Sequence, residues 1–179
     1  MKYSFLIAAL VAATVSMAGS ANAQTATQDI NITATVTSAC TINNTATGTA
    51  GSATIPVSAA GAVNTTAITP TGSPFANVAC NAPATLQLTS LNGAVTNATP
   101  APSGFTNFIN YSASAVWNGT TATLNTASVA TAAGSESGTG QAVTANSGNL
   151  DVTITPQATS LPLITGPYAD TLRVTLTPQ

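Results

Sequence analysis

Alternation of apolar and polar residues is the dominant pattern of this chain, and it is clearest near the N-terminus. In the stretch from Asp29 to Cys40, D-I-N-I-T-A-T-V-T-S-A-C, apolar residues take every second position, namely Ile30, Ile32, Ala34 and Val36. Side chains two residues apart share one face of a strand, so the stretch predicts a strand with a single apolar row. Such a terminal strand can pair within the sheet of its own domain, or it can add to the sheet of another molecule.

The same alternation recurs in later blocks that are separated by turn residues. It predicts strands over residues 75–80, 84–91, 108–117, 121–128, 149–158 and 169–177, with a shorter candidate over 54–57. Residues 61–73 and 130–140 are predicted as loops, with a possible short pairing at Ala67-Ile68. Short alternating strands without an amphipathic helix predict an all-β fold, a sandwich of two sheets.

The block 108–117 is the strongest central strand. Ile109, Tyr111, Ala113, Ala115 and Trp117 share one phase in it, and Asn118-Gly119 directly afterwards is the signal for a type I′ hairpin turn. Trp117 and Tyr111 could instead form a sugar-binding platform. Their shared phase with Ile109 favours a position in the core.

Residues 1–23 have the composition of a secretory signal peptide. One positive charge at Lys2 precedes an apolar run, and the sequence Ala21-Asn22-Ala23 follows that run. A membrane anchor is the alternative, but the run is short for a bilayer span, and polar residues break its end. The sequence therefore predicts cleavage after Ala23 and export of the remaining residues as one domain.

Removal of the signal leaves a chain almost without charge. It has no Lys, His or Met, and its charged side chains are Asp29, Glu136, Asp151, Asp170 and Arg173. This composition offers no basic surface for nucleic acid or anionic lipid. No His or Lys is present to activate a nucleophile, and the carboxylates stand singly in the sequence. We therefore predict that the protein is not an enzyme and uses no metal ion or cofactor.

Cys40 and Cys80 are the only cysteines of the chain. In an exported protein, two cysteines predict a disulfide, and only one connectivity is available. A redox or metal-binding role would require a CxxC spacing or His partners, and the sequence has neither.

Three segments together resemble a known family. They are the alternating segment that ends in Cys40, the strand F-A-N-V-A-C that ends in Cys80, and the closing sequence G-P-Y-A-D-T-L-R-V-T-L-T. Essentially the whole mature chain resembles the spore coat protein U domain family, which includes the pilin subunits of archaic chaperone–usher pili. The most specific part is the closing G-x-Y-x-D-T-L-x-V-T-L motif, which contains Gly166, Tyr168, Asp170 and Thr171.

The resemblance implies an immunoglobulin-like sandwich over residues 39–179 that lacks its last strand, preceded by a donor strand over residues 24–38. A periplasmic chaperone would first fill the gap, and an outer-membrane usher would direct assembly. The donor strand of a neighbouring copy would then fill the gap. Its inserted residues would be Ile30, Ile32, Ala34 and Val36, and Leu172, Val174 and Leu176 would border the gap.

The function implied by the resemblance is that of a structural subunit of a surface fimbria. The protein would be exported through the periplasm, would polymerise with copies of itself and would support adhesion and biofilm formation. The alternative is a monomeric secreted or spore-coat-type protein, in which the N-terminal strand completes its own sheet.

Overall fold

A computed structural model of the chain describes residues 26–128 and 134–179. The predicted signal peptide therefore lies outside the described residues. The chain divides into two units, residues 1–35 and residues 36–179. In the first unit, the described residues 26–35 form neither helix nor strand. Within the described ranges, no helix is long and apolar enough to cross a bilayer.

The second unit is built from short strands, as the alternation predicts. Its described residues form β1 (Cys40–Thr41), β2 (Phe75–Cys80), β3 (Ala84–Ser90), β4 (Val95–Thr96), β5 (Phe108–Ile109), β6 (Tyr111–Trp117), β7 (Thr120–Asn125), β8 (Glu136–Ser137), β9 (Gln141–Val143), β10 (Asn146–Pro156) and β11 (Leu172–Pro178). A single 3-10 turn, Thr126–Ser128, follows β7. The predicted all-β fold is confirmed.

The strands form two main antiparallel sheets that resemble a sandwich. The first sheet has the order β1-β2-β10-β6-β7. In the second sheet, β3 pairs with β11 on one side and with both β8 and β9 on the other. A small third sheet pairs β4 with β5. The closing strand β11 therefore lies at one edge of the second sheet.

The core contains the inward-facing residues of both main sheets. Trp117 and Tyr111 come from the first sheet and Leu86 and Leu88 from the second, and each is at most 2% exposed. In β3, buried and partly buried positions alternate strictly, because successive side chains of a strand point to opposite faces. The prediction that Trp117 and Tyr111 are core residues is confirmed.

The hairpin between β6 and β7 confirms the predicted turn. Asn118 and Gly119 have φ angles of 49° and 77°, and Trp117 pairs with Thr120 across them. Positive φ at both central residues is the requirement of a type I′ turn, whose twist matches that of the flanking strands.

Three local predictions are wrong in whole or in part, and one is confirmed. The predicted strand 108–117 is interrupted at residue 110, because Phe108–Ile109 pairs with β4 in the third sheet and only Tyr111–Trp117 joins the first sheet. Residues 54–57 do not form a strand, because the chain folds back on itself there and only Val57 makes an isolated bridge, to Val63. The predicted loop 130–140 contains β8, which pairs with the end of β3. The short pairing predicted at Ala67-Ile68 is present as a bridge between Ile68 and Ile154.

The predicted disulfide is confirmed. Cys40 and Cys80 are bonded, with an S–S distance of 2.07 Å, and they lie opposite each other in the register of β1 and β2. The bond closes a loop with a sequence separation of 40 residues and links the short strand β1 to its neighbour β2 in the first sheet.

We predict that this disulfide stabilises the fold considerably. Closing a loop of this length reduces the entropy of the unfolded chain, which is worth about 4 kcal/mol in the chain-entropy model. Urea unfolding of the oxidised and reduced protein should therefore show a lower free energy of unfolding after reduction. Labelling of free thiols in the denatured, unreduced protein would contradict the assignment.

Candidate functional site

The closing strand β11 is paired along only one of its two sides. Its partner is β3, in a continuous register from Leu172 opposite Ser90 to Pro178 opposite Ala84. Among the described residues, no strand pairs with the other side of β11. The two-residue strand β1 contacts β11 there without forming a ladder with it. Among the described strands, no backbone ladder therefore connects the two main sheets at the free side of β11.

The inward-facing side chains of β11 are only half-buried. Leu172, Val174 and Leu176 pack against the core but stay partly accessible, whereas Leu86 and Leu88 of the neighbouring strand β3 are fully buried. Cys40 in β1, which lies close to β11, and the nearby Ile42 are also partly buried against the core. We call these residues the edge groove: Leu172, Val174, Leu176, Cys40 and Ile42. The three residues that the sequence predicts to border a gap, Leu172, Val174 and Leu176, therefore all belong to the edge groove.

The backbone of β11 directs hydrogen-bonding groups toward the same opening. At the two ends of the β3–β11 ladder, the Leu91 N–H donates to the Thr171 carbonyl at 3.0 Å, and the Gln179 N–H donates to the Pro83 carbonyl at 2.9 Å. In an antiparallel pair, hydrogen-bonded positions alternate, so odd-numbered residues of β11 bond to β3. The N–H and C=O groups of Leu172, Val174 and Leu176 consequently face the edge groove.

The free edge of β11 lacks most of the features that keep edge strands from pairing with other chains. Such edges are commonly protected by Lys, other charges, Pro or a bulge. Here the only charge in the strand is Arg173, which lies on the outward face and is exposed. Pro178 removes one N–H group at the far end of the strand. Three consecutive inward-facing positions remain available for strand pairing.

Asp170 of the closing motif fixes the start of β11 to the core. The Tyr111 hydroxyl and the Ser90 hydroxyl each donate to its Oδ2 at 2.6 Å. The backbone N–H groups of Asn92 and Thr171 donate to its Oδ1 at 3.0 Å and 2.7 Å. Tyr111 and Ser90 are buried, so this carboxylate connects β11 with β3 and β6 through charge-assisted hydrogen bonds.

The other motif residues shape the turn that leads into β11. Gly166 has a φ of 135°, and a Cβ there would lie 2.5 Å from Nδ2 of Asn97. The Tyr168 hydroxyl lies 3.0 Å from the Ile164 carbonyl and donates to it within the same turn. The Thr171 carbonyl accepts a hydrogen bond from the Leu91 N–H, next to the end of β3. The motif therefore has a structural role, which is to position the strand that forms the edge groove.

The predicted donor residues are exposed. Ile30, Ile32 and Val36 have 82%, 91% and 81% of their surface accessible, and Ala34 is exposed as well. In soluble proteins, large apolar side chains exposed together indicate an interaction site. The segment from residue 26 to residue 39 forms no regular strand.

Asn81 marks the point at which the chain enters the folded domain, and the sequence analysis did not identify it. Its Nδ2 donates to the Thr37 carbonyl at 2.8 Å, and its Oδ1 accepts from the Ala39 N–H at 2.7 Å. The only sequence signal is a polar residue directly after Cys80. Asn81 thus holds residues 37–39 beside the disulfide. The apolar row from Ile30 to Val36 comes immediately before these residues in the sequence.

Comparisons of the chain with models of protein families, with curated proteins and with solved structures find no match. Within residues 26–128 and 134–179, no group of three or more His, Cys, Asp or Glu side chains could hold a metal ion.

We predict that Asp170→Asn destabilises the protein. The amide can accept only on its oxygen, so the buried hydroxyls of Tyr111 and Ser90 lose their charged acceptor, at a cost of about 2 kcal/mol or more. Asp151→Asn is the matched control, because Asp151 is exposed on β10 and should tolerate the change. Urea unfolding of both variants measures the difference. Equal stability of the two variants would show that the Asp170 interactions do not hold β11.

We also predict a loss of stability in alkali that depends on Tyr111. Burial, and secondarily the hydrogen bond to Asp170, raises the pKa of Tyr111 well above its ordinary value of 10.0. Above pH 10 the unfolded chain releases this proton while the folded protein retains it, so stability is complete below that pH and falls as the pH rises. Free energies of unfolding measured between about pH 8 and about pH 11 should show the fall.

The matched variant for the alkaline prediction is Tyr111→Phe. It should be less stable at neutral pH, because it lacks the hydrogen bond to Asp170, but its stability should depend less on alkaline pH. Tyr168, whose pKa is also raised by burial, remains in the variant. It should therefore leave a smaller dependence of the free energy of unfolding on alkaline pH. An unchanged pH dependence in Tyr111→Phe would contradict the prediction.

Proposed function

We propose that the protein is a structural subunit of a surface fimbria, of the spore coat protein U type, which polymerises by donor-strand exchange. The observation that carries this proposal is a match between two parts of the chain. The edge groove offers three half-buried apolar side chains and the backbone groups of the same residues. The N-terminal segment offers an exposed apolar row with the same two-residue period.

Insertion of the N-terminal row into the edge groove of another copy would be favourable. Burial of Ile30, Ile32 and Val36 contributes about 1.5–3 kcal/mol for each side chain, before the cost of ordering the segment. Each backbone hydrogen bond to β11 adds about 0.5–1.5 kcal/mol. The inserted strand would complete the sandwich with a segment from a neighbouring chain, a form of strand addition known from chaperone–pilin complexes.

The edge groove is also the reason why the proposed assembly needs a chaperone and an usher. A subunit with an apolar groove and an available strand edge would aggregate if it were left uncovered. A periplasmic chaperone that covers the groove, and an outer-membrane usher that exchanges the chaperone for the next subunit, would prevent this. The signal peptide expected at residues 1–23 would deliver the chain to that compartment. The assembled fibre would then support adhesion and biofilm formation.

The alternative function uses the same groove and the same segment. In a monomeric secreted or spore-coat-type protein, the N-terminal strand would complete the sheet of its own chain. The two functions differ in which copy supplies the strand. A polymerisation assay therefore separates them.

We predict that Ile32→Asp blocks polymerisation. The substitution places an unpaired charge in the apolar groove of the neighbouring copy, where burial of the charge is strongly unfavourable. Thr33→Asp is the matched control, because Thr33 belongs to the opposite face of the alternating segment and its charge would remain in water. Electron microscopy and SDS-resistant ladders of the secreted protein measure assembly. Fibres should be absent from the first variant and present in the second.

The folding state of the Ile32→Asp variant separates the two functions. If the segment serves another copy, the variant domain should still fold when its groove is covered by a chaperone. If the segment completes its own sheet, the variant should be unfolded and the wild-type protein should be a monomer. Normal fibres from Ile32→Asp would contradict the donor assignment.

A further inference from the structure

We propose that Asn118, at the tip of the hairpin between β6 and β7, is a site of spontaneous modification, at which the side-chain amide is converted to a carboxylate. This inference goes beyond the proposed function and does not depend on it. It follows from a comparison of the two Asn-Gly pairs of the chain, Asn92-Gly93 and Asn118-Gly119.

Asn-Gly pairs are prone to deamidation, because Asn is a thermolabile residue and the Gly that follows has no side chain to hinder its backbone nitrogen. That nitrogen attacks Cγ of the Asn. A bond forms between the two atoms, the bond from Cγ to Nδ2 breaks, and the Gly N–H proton leaves with Nδ2 as ammonia. Water then opens the resulting five-membered ring. Addition of water at Cγ gives aspartate, and addition at the main-chain carbonyl gives isoaspartate.

Both reacting groups of the Asn118-Gly119 pair are free in the structure. Within the part of the chain that the structure describes, neither the Asn118 side chain nor the Gly119 N–H makes a hydrogen bond. Both residues are exposed, and a Cβ placed at Gly119 would meet no atom within 4 Å. The turn can therefore open locally without breaking tertiary contacts, which lets the Gly119 nitrogen approach Cγ of Asn118.

The other Asn-Gly pair is held in place by its surroundings. Nδ2 of Asn92 donates to the Ala169 carbonyl at 3.2 Å, and the Asn92 N–H donates to Oδ1 of Asp170 at 3.0 Å. Gly93 is buried, and a Cβ there would lie 2.5 Å from the Gly134 carbonyl oxygen. Attack at this pair requires the turn to leave its contacts with the residues that precede β11, so Asn92 is protected.

Deamidation would change both the charge and the shape of the hairpin tip. After the predicted removal of the signal peptide, the chain has few charged side chains, so one additional carboxylate alters its net charge considerably. Asp-Gly favours a type I′ turn as Asn-Gly does, so the aspartate form should keep the hairpin. Isoaspartate adds a main-chain atom to the two-residue loop and should disturb the pair of Trp117 and Thr120 that closes it.

The experiment follows both pairs in the purified, secreted protein during several weeks at neutral pH. Chymotrypsin, which cleaves after aromatic residues and Leu, then separates the denatured protein into peptides that include 92–105 and 118–124. Mass spectrometry detects the replacement of an amino group by a hydroxyl, and fragment ions locate it. In the native protein, Asn118 should react at least about tenfold faster than Asn92, which reacts only after its tertiary contacts open. In urea, where these contacts are lost, the two rates should be similar.

Two variants of Asn118 serve as controls. Asn118→Gly removes the reacting amide and leaves a Gly-Gly pair, which also suits a type I′ turn. Isoelectric focusing of this variant after the incubation should lack the main acidic band that the wild-type protein develops. Asn118→Asp should migrate with that band from the start. Because Trp117 is the only Trp of the chain, its fluorescence should differ between the isoaspartate fraction and the Asn118→Asp variant.

Two results would contradict the proposal. One is an equal rate of deamidation at Asn92 and Asn118 in the native protein. The other is a native Asn118 that stays unmodified while both pairs react in urea, which would show that the type I′ turn itself protects the residue. Neither result depends on whether the protein forms fibres, so the proposed function is tested separately.

Discussion

A β-strand carries hydrogen-bonding groups along both sides, and among the residues that the structure describes, β11 has a strand partner on one side only. Its odd-numbered residues bond to β3, and its even-numbered residues direct N–H and C=O groups toward the edge groove. The same even-numbered residues carry the half-buried side chains Leu172, Val174 and Leu176. Backbone groups and half-buried apolar side chains thus face the same opening. In the proposed function, an extended segment with an apolar residue at every second position would fill it.

The rest of the domain holds this edge in place. Asp170 attaches the start of β11 to β3 and β6, and the Tyr111 hydroxyl on this carboxylate comes from a fully buried side chain of β6. At the other end of the groove, the disulfide and Asn81 hold the segment that enters the domain. These interactions hold the start of β11 and the chain that enters at the far end of the groove, whereas within the described residues only one side of β11 has a strand partner.

Much of the fold could be predicted from the sequence, because strict alternation and turn residues report directly on local geometry. Strand β6, which is residues 111–117 of the predicted block 108–117, and the Asn118-Gly119 turn are examples. The first two residues of that block pair with β4 instead, which local alternation does not encode. The prediction for residues 54–57 failed because β-branched residues can also form a folded-back loop, which Val57 closes through a single bridge. Strand β8 was missed because Glu136 and Ser137 pair through a long-range contact that no local pattern encodes.

The candidate site was only partly predictable for the same reason. Periodicity indicates that Leu172, Val174 and Leu176 share a face, but only the pairing of β11 with β3 shows which side of the strand is left open. The motif indicates that Asp170 matters, yet its partners Tyr111 and Ser90 are 59 and 80 residues away in sequence. The role of Asn81 depends on backbone groups, which carry no sequence signal.

Hydrogen exchange of individual amides in the assembled protein tests the central claim most directly. The amides of Arg173, Thr175 and Thr177 bond to β3 and should be protected whether or not a donor strand is present. The amides of Leu172, Val174 and Leu176 face the edge groove, so their protection requires a strand in that groove, which in the proposed fibre comes from another copy. We predict slow exchange at all six positions in the fibre. Slow exchange at the three odd-numbered positions combined with fast exchange at the three even-numbered ones would contradict it.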